Sequence, residues 1–514
     1  MAVLQQVING PTPCSGAALQ LRALRAARGM ARLGIGRGDR IALLLRNDLP
    51  FLEATLAAQH LGAYAVPLNW HATVDELLYV LDDCRPQLLL VHADLLGPTL
   101  RARSERIGAA PLLVAATPPE VMRAYRIDPI AGEVPPGAIE WSNWVAAQPP
   151  DDSPPVATPE SLIYTSGTSG KPKGVRRDAA TAEQGALTEH MRCTVSGIDA
   201  SARVLVAAPL YHTAPNMYAL RAVRHAQLLV LPARFDAEAL LADIERHRIT
   251  HLYAVATMFS RLLALPEAQR RRHDLSSLRF VLHAGGPCAP EIKRAMLDWW
   301  GPIVHEYYGS TEAGPITFCT GAEWLEHPGS VGRAVGGAHL VVLDEAGKPV
   351  PPGQIGEVCA RNTGYPDFSY LNQPEARAEL QRGEFVATGD LGWLDDDGYL
   401  YLSDRKKDLI ISGGVNIYPA EIEAVLLAID GVADCAVFGI PDRDFGEAVA
   451  AIVQPMPGHA LSETSLCDAL KARLAAFKLP RLIELREALP REESGKIRKR
   501  LLREPYWAET GRKI

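Results

Sequence analysis

The sequence predicts a mixed α/β protein: a large N-terminal domain of helix-covered sheets with a β-barrel subdomain, followed by a small α+β C-terminal domain. Three observations predict it. Apolar runs alternate with helical periodicity through the first two-thirds of the chain. After about Gly329 the pattern breaks into shorter strand-like pieces, and from about Asp408 helices and strands are mixed. At 514 residues the chain is also too long for a single core, so several domains are required.

Residues 17–33 carry apolar side chains at helical spacing, and 39–45 read as a buried strand. A helix near 51–61, the apolar stretch 62–67, a helix near 74–83 and a strand over 87–91 follow. Apolar runs at 203–207, 228–231 and 279–282 are separated by helices such as 236–246. This βαβα alternation argues for parallel sheets covered by helices. Asp151-Asp152-Ser153-Pro154-Pro155 reads as a connecting loop. Beyond Gly329, turns at Glu345-Ala346-Gly347, Pro351-Pro352-Gly353 and Asp396-Asp397-Gly398 punctuate a β-rich region. The last segment holds a helix opened by Pro419, strands near 433–439 and 449–454, and a helix near 461–477.

Hydrophobic content of 47%, charged content of 22% and a net charge of -7 describe an ordinary soluble globular protein and disfavour non-specific nucleic-acid binding. The eight cysteines form no CxxC pair, which implies neither a zinc site nor a disulfide framework. Reduced thiols and a cytoplasmic location are the expectation. No apolar run reaches the length of a membrane span, and the first residues lack a basic stretch followed by an apolar one.

The most informative stretch is Tyr164-Thr165-Ser166-Gly167-Thr168-Ser169-Gly170-Lys171-Pro172-Lys173-Gly174. Glycines let the backbone approach a ligand, hydroxyls donate hydrogen bonds and two lysines add positive charge, the parts of a phosphate grip. It is not the usual P-loop, because only Thr168 and Ser169 separate Gly167 from Gly170 and Pro172 follows Lys171. The composition alone also fits a Gly/Ser surface loop. A second stretch, Tyr307-Tyr308-Gly309-Ser310-Thr311-Glu312, sets an aromatic ring, hydroxyls and a carboxylate where a nucleotide and a Mg²⁺ ion could use them, or else closes a strand with a solvated glutamate. In Phe385-Val386-Ala387-Thr388-Gly389-Asp390 the carboxylate suits two ribose hydroxyls, although aspartate in a turn is common. Asp404-Arg405-Lys406-Lys407-Asp408 is a charged break between two strand-like runs. Near the end, Ser494-Gly495-Lys496 lies in a basic tail.

Together these stretches resemble the adenylate-forming superfamily, whose members include the acyl-CoA synthetases, the adenylation domains of peptide synthetases and the firefly luciferases. The matches run in the family's order from Thr165 to Lys496 and cover about two-thirds of the chain; the first 160 residues carry only the α/β pattern. The resemblance implies an N-terminal adenylate-forming domain over 1–404, a hinge at 405–407 and a mobile C-terminal domain over 408–514. It implies that Thr165, Ser166, Gly167, Thr168, Ser169, Gly170, Lys171 and Lys173 grip phosphate. Tyr308 would stack on adenine within Tyr308-Gly309-Ser310, Thr311 would touch the α-phosphate, and Glu312 with Thr165 would hold Mg²⁺. Asp390 and Arg405 would bind ribose, and Lys407 falls at the hinge. Ala284-Gly285-Gly286-Pro287 resembles the loop walling the acyl and adenine sites. Pro209-Leu210-Tyr211-His212-Thr213 resembles the motif placing a His gate before the pantetheine tunnel, which Gly413 and Gly414 would line. Lys496 would bridge carboxylate and α-phosphate; loss of such a group costs on the order of 10²–10³ in rate.

The implied reaction joins a carboxylic acid to ATP, giving an acyl-adenylate and pyrophosphate, then passes the acyl group to coenzyme A. Gly309 stands where short-chain members place a tryptophan, so the acid is expected to be medium or long, aromatic or alicyclic. His283 is a candidate polar contact to it. Substrates are thus a small carboxylic acid, ATP and CoA, with Mg²⁺ as the metal; a homodimer is left open. The nearest rival is a ligase that loads a separate carrier protein. A phosphate-transferring NTPase, which would give ADP, and a non-catalytic nucleotide-binding module are the other readings.

Overall fold

The computed structural model describes the chain except residues 1–3, 12, 98–110, 158, 167–171, 287, 406–407, 413–414, 443–444, 492–496 and 509–514, and except the side chains of Ser166, Arg405 and Asn416. Two helix-covered sheets form the first part. One has nine strands, in the order Arg333–Ala334, Gly314–Cys319, Val304–Ser310, Phe280–His283, His251–Ala254, Arg203–Val206, Leu228–Val230, Gln6–Ile8 and Cys14–Ser15. Its central strands are parallel, and Val304–Ser310 turns back antiparallel into Gly314–Cys319. The second sheet is wholly parallel: Tyr64–Pro67, Arg40–Leu44, Leu88–His92, Leu112–Ala115 and Ile139–Glu140.

The alternation read from the sequence is therefore real, and local chemistry sets its boundaries. The first helix runs Gly16–Arg32, capped by the Ser15 hydroxyl on the Ala18 amide. The second, Leu49–His60, starts two residues before the expected 51 because the Asp48 carboxylate caps it and Pro50 suits a first turn. It is buried on nearly every face, from Phe51 through Gln59. The third, Val74–Cys84, opens on a reciprocal Thr73–Glu76 capping box.

The β-rich region forms an antiparallel sheet in which Gly356–Asn362 lies between Ala338–Leu343 and Phe385–Leu394, and Leu400–Arg405 pairs with the latter. The last sheet runs Val415–Ile417, Ile410–Ser412, Gly446–Pro455 and Val432–Asp442, with Leu482–Leu485 on Gly446–Pro455. Its two long strands outrun the expected 433–439 and 449–454, because their mutual pairing carries the backbone past the apolar residues. The helix expected over 461–477 is shorter, Glu463–Lys471, followed by a single 3₁₀ turn, Ala476–Lys478.

One buried charge cluster lies inside the nine-stranded sheet. His283 and Glu306 are register partners on adjacent parallel strands. Lys293, from the helix Pro290–Trp300, reaches both: its Nζ is 2.6 Å from His283 Nε2 and 3.0 Å from Glu306 Oε2. Burial alone would raise the Glu306 carboxyl, but the His283 ring and the Lys293 ammonium outweigh it and hold the carboxyl well below the usual carboxylate range. Burial pushes the His283 imidazole down, so it is neutral at pH 7. His283 is thus fully buried and committed inside the protein, which removes it as a contact to a substrate.

Lys293→Met is expected to lower the unfolding free energy by about 3–5 kcal/mol, because it leaves a carboxylate buried without its counter-ion. Lys293→Met with Glu306→Leu should recover most of that loss in urea denaturation. The depressed Glu306 carboxyl contributes stability above the unfolded value of about 4.3, and this is lost as pH falls towards its lower folded value. Stability plotted against pH should therefore be flatter below about 4.3 in Glu306→Gln than in the unmodified protein.

Candidate active site

The phosphate-grip stretch is a hairpin. Strand Ile163–Ser166 pairs antiparallel with Pro172–Arg177, with Thr165 opposite Lys173 and Ser166 opposite Pro172. The intervening Gly167, Thr168, Ser169, Gly170 and Lys171 lie outside the described residues. A third strand, Phe368–Tyr370, adds to the hairpin, with Tyr370 opposite Val175.

This small sheet brings distant residues around one carboxylate. Glu312 Oε1 accepts from the Thr165 hydroxyl at 3.4 Å and from the Tyr370 hydroxyl at 2.9 Å. Burial and the neighbouring Glu312 charge raise the Tyr370 phenol, so it stays protonated and remains a donor. Lys173 Nζ sits 5.1 Å from the centre of the Tyr370 ring and is buried. Arg177, at the end of the hairpin, donates to the Thr311 carbonyl at 3.3 Å and to the Glu312 carbonyl. Tyr370 and Arg177 carry no sequence signal of their own: one is among three aromatics within 365–370 in a β-rich stretch, the other one arginine in a basic run.

The 304–319 hairpin supplies the rest. Tyr308 packs with Ile316, Val331, Val358 and Leu400, and its hydroxyl donates to Asp390 Oδ2 at 2.7 Å. The Ser310 hydroxyl accepts from the Ala313 amide at 2.9 Å and so braces the turn. The Thr311 and Thr213 hydroxyls are 2.6 Å apart. Asp390 pairs across the sheet with Arg405, whose side chain lies outside the described atoms. Gly309 corrects one expectation. A Cβ there would meet the Gly314 carbonyl oxygen at 2.2 Å, so glycine is what hairpin closure requires and the position offers no extra room for an acid.

His212 immediately precedes the helix Thr213–His225, its ring 4.4 Å from that of Tyr211. Asn47, which sequence reasoning missed, holds this segment: its Nδ2 donates to the Ala208 carbonyl and its Oδ1 accepts from the Leu210 amide, both at 2.9 Å. Gly285 has φ +89°, a conformation that favours glycine, and Gly286 faces open space; Pro287 lies outside the described residues.

Lys496, Gly413, Gly414 and the hinge positions Lys406 and Lys407 also lie outside the described residues. Their flanks are informative. Arg491 bridges to Ile497 across the tail loop and is anchored to Asp434 at 2.6 Å. The same Arg491 lines a cavity of about 200 Å³ together with Ala207, Pro209, Phe235 and Met258, so the base of the tail loop shares a cavity with the residues just before Tyr211-His212. Asp404, where a glycine is common in the family, uses Oδ2 to accept from the Ala420 amide at 2.8 Å, in the first turn of the helix Pro419–Leu427.

Comparison with known proteins gives the following. The model of the AMP-binding enzyme family matches residues 4–365, and that of the AMP-binding enzyme C-terminal domain matches 421–496. A feruloyl-CoA synthase from Amycolatopsis sp is 35% identical over 497 residues, covering 96% of this chain and 94% of that protein. An indoleacetate–CoA ligase from Aromatoleum aromaticum is 33% identical over 482 residues, covering 92% and 90%. Among solved structures, the ATP-bound RpMatB-BxBclM chimera B3 superposes with a TM-score of 0.84 at 28% identity, covering 98% of this chain and 96% of that one.

Tyr370→Phe removes one of the two donors to Glu312. Since hydrogen bonds to charged groups contribute about 1.5–3 kcal/mol, ATP affinity in the presence of Mg²⁺ should fall by about tenfold or more. Calorimetric titration checks this, with the unfolding temperature as a control for the fold.

Proposed function

Because the chain belongs to the AMP-binding enzyme family, the adenylate-forming superfamily, we propose that it is an AMP-forming carboxylic acid–CoA ligase acting on an aromatic, alicyclic or medium-to-long acid. The observation that carries the reading is the convergence on Glu312 of the Thr165 and Tyr370 hydroxyls from separate parts of the chain, with Lys173 over the Tyr370 ring, beside the Tyr308–Asp390 pair. A buried cation, hydroxyl donors and one carboxylate form a triphosphate-and-magnesium site. An aromatic ring bonded to a second carboxylate forms a nucleoside site next to it. The aromatic acids named in two relatives support the acid class.

The residues at Glu312 fit Mg²⁺. The ion favours oxygen ligands and is usually held by one or two carboxylates together with substrate phosphates and water, and a carboxylate ringed by two hydroxyls offers that set. Glu312 and Thr165 would hold it, and when bound it would neutralise phosphate charge. Lys173 and the hairpin hydroxyls orient the phosphates, Asp390 and Arg405 the ribose, and Tyr308 the adenine. The acid's carboxylate attacks the α-phosphorus beside Thr311 and pyrophosphate leaves. Lys496 supplies the positive charge that this step needs. The thiol then enters past His212, and we place its approach at the cavity walled by Arg234, Arg261 and Phe235. For this second step, residues 408–514 swing about 405–407 and the Gly413-Gly414 loop replaces the Lys496 loop.

The decisive test is ATP–pyrophosphate exchange over a panel including ferulate, indoleacetate, a medium-chain fatty acid and acetate, followed by addition of CoA. Acid-dependent exchange with AMP and acyl-CoA as products is expected. ADP formation, or nucleotide binding without turnover, would overturn the reading, and transfer only to a carrier protein would overturn CoA as acceptor. Lys496→Ala should lose exchange by about 10²–10³-fold yet still convert a supplied acyl-adenylate to acyl-CoA. The Asp404–Ala420 contact ties the mobile segment in its present position, and such a cap contributes about 1 kcal/mol. Asp404→Ala should therefore raise the single-turnover rate of thiolation by up to about fivefold relative to exchange.

A further inference from the structure

A second cavity, of about 320 Å³, opens at the base of the phosphate-grip hairpin. Leu162 and Arg176 line it, one residue beyond the Ile163–Val175 pair. Its opposite wall is made by Arg40 and Tyr64, the first residues of two parallel strands. Arg37 completes the set.

The charge around this cavity is unbalanced. Three guanidinium groups line it, and arginine does not give up its proton in proteins. The carboxylate lining it is Asp178, which is 79% exposed and lies 3.3 Å from Arg176. Among the described residues Arg37 and Arg40 are paired with no carboxylate, and Arg40 Nε is buried without a hydrogen-bond partner. The Tyr64 hydroxyl is already spent on the Arg177 carbonyl at 2.8 Å, which leaves recognition to the cations. The remaining wall is apolar, from Pro159, Leu162 and Leu371.

We propose that this cavity binds a phosphate monoester, its phosphate held by Arg37, Arg40 and Arg176 and its organic part seated on Pro159, Leu162 and Leu371. With Asp178 against Arg176, two of the three positive charges are unbalanced; a monocarboxylate would balance one of them, whereas a phosphate monoester carries about -1.5 to -2 at pH 7 and offers three acceptor oxygens matched to guanidinium forks. The volume lies at the lower end of small-molecule sites and exceeds what a bare ion needs. Arg176 lies on the strand that also carries Lys173, so an occupant would bear directly on the hairpin. The proposal does not rest on the ligase reading.

The test is calorimetric titration of the full-length protein with phenyl phosphate and, separately, with inorganic phosphate. One phenyl phosphate per chain is expected, bound more tightly than inorganic phosphate and more weakly as salt is raised. Arg40→Met and Arg176→Met should each weaken it at least tenfold, and Lys173→Met, which alters the neighbouring phosphate grip, should leave it unchanged. Arg37→Gln, at an exposed position, gives a variant whose fold is not at risk and should weaken binding severalfold. No binding, or binding lost in Lys173→Met but retained in the arginine variants, would overturn the site. Equal affinity for the two probes would overturn the monoester assignment.

Discussion

A single ammonium buried against the central sheet ties together the two strands that lead to the glycine loop and to Tyr308. Lys293 joins His283, the last residue of its strand, to Glu306, the third residue of the adjacent parallel strand Val304–Ser310. His283 leads directly into Ala284-Gly285, and Glu306 stands two residues before Tyr308. The other ring nitrogen of His283, Nδ1, is buried without a hydrogen-bond partner. The cluster is therefore not optimised for stability. Buried ion pairs are often no better than apolar packing in that respect, and their best-attested benefit is register. Here a one-residue slip between the two strands would separate Glu306 from His283 and displace the glycine loop from the Tyr308 ring.

From that anchor the site is assembled by contacts that each cross a long stretch of sequence. Arg177 carries the hairpin to the Thr311 and Glu312 carbonyls, and its guanidinium also lies over the Tyr365 ring at 5.3 Å. The Thr213–Thr311 contact fixes the His212 segment to the same turn. Asn47 joins the wholly parallel sheet to that segment. The hairpin sheet, the nine-stranded sheet and the wholly parallel sheet are thus tied to one another around the Thr311-Glu312 turn and the segment before Thr213.

The sequence revealed this layout unevenly. The alternating strands and helices were legible because burial on both faces of a parallel sheet leaves continuous apolar runs, as in Leu88–His92. Thr165, Glu312 and Asp390 were legible because they sit in dense local clusters of glycine, hydroxyl and charge. Tyr370 was not, since its role comes from strand pairing with Val175, and no local pattern announces a partner 195 positions away. Lys293 could have been found: it shares a helix face with Met296 and Leu297, and a lysine on an apolar face needs a counter-ion. Gly309 misled because the absence of a side chain reads as space, whereas the Gly314 carbonyl already fills it.

The rotation proposed for the last hundred residues is consistent with how that part is held. It has its own core, built on Ile422, Leu426, Val449, Leu466 and Leu470, so it can move as a body without breaking that core. Its tie to the large domain is polar. Asp404 caps the helix Pro419–Leu427, and the carboxylates of Asp404, Asp408 and Glu423 outweigh the effect of burial to keep Lys499 charged. A polar tie gives a defined resting position, yet water replaces its hydrogen bonds once it opens, so the net cost of breaking it is small. An apolar seam of equal area would hold the tail loop against the nucleotide and stop the cycle after pyrophosphate departs. The aspartate at 404 therefore suits a latch better than a turn, and it stands next to the residues about which the movement would occur.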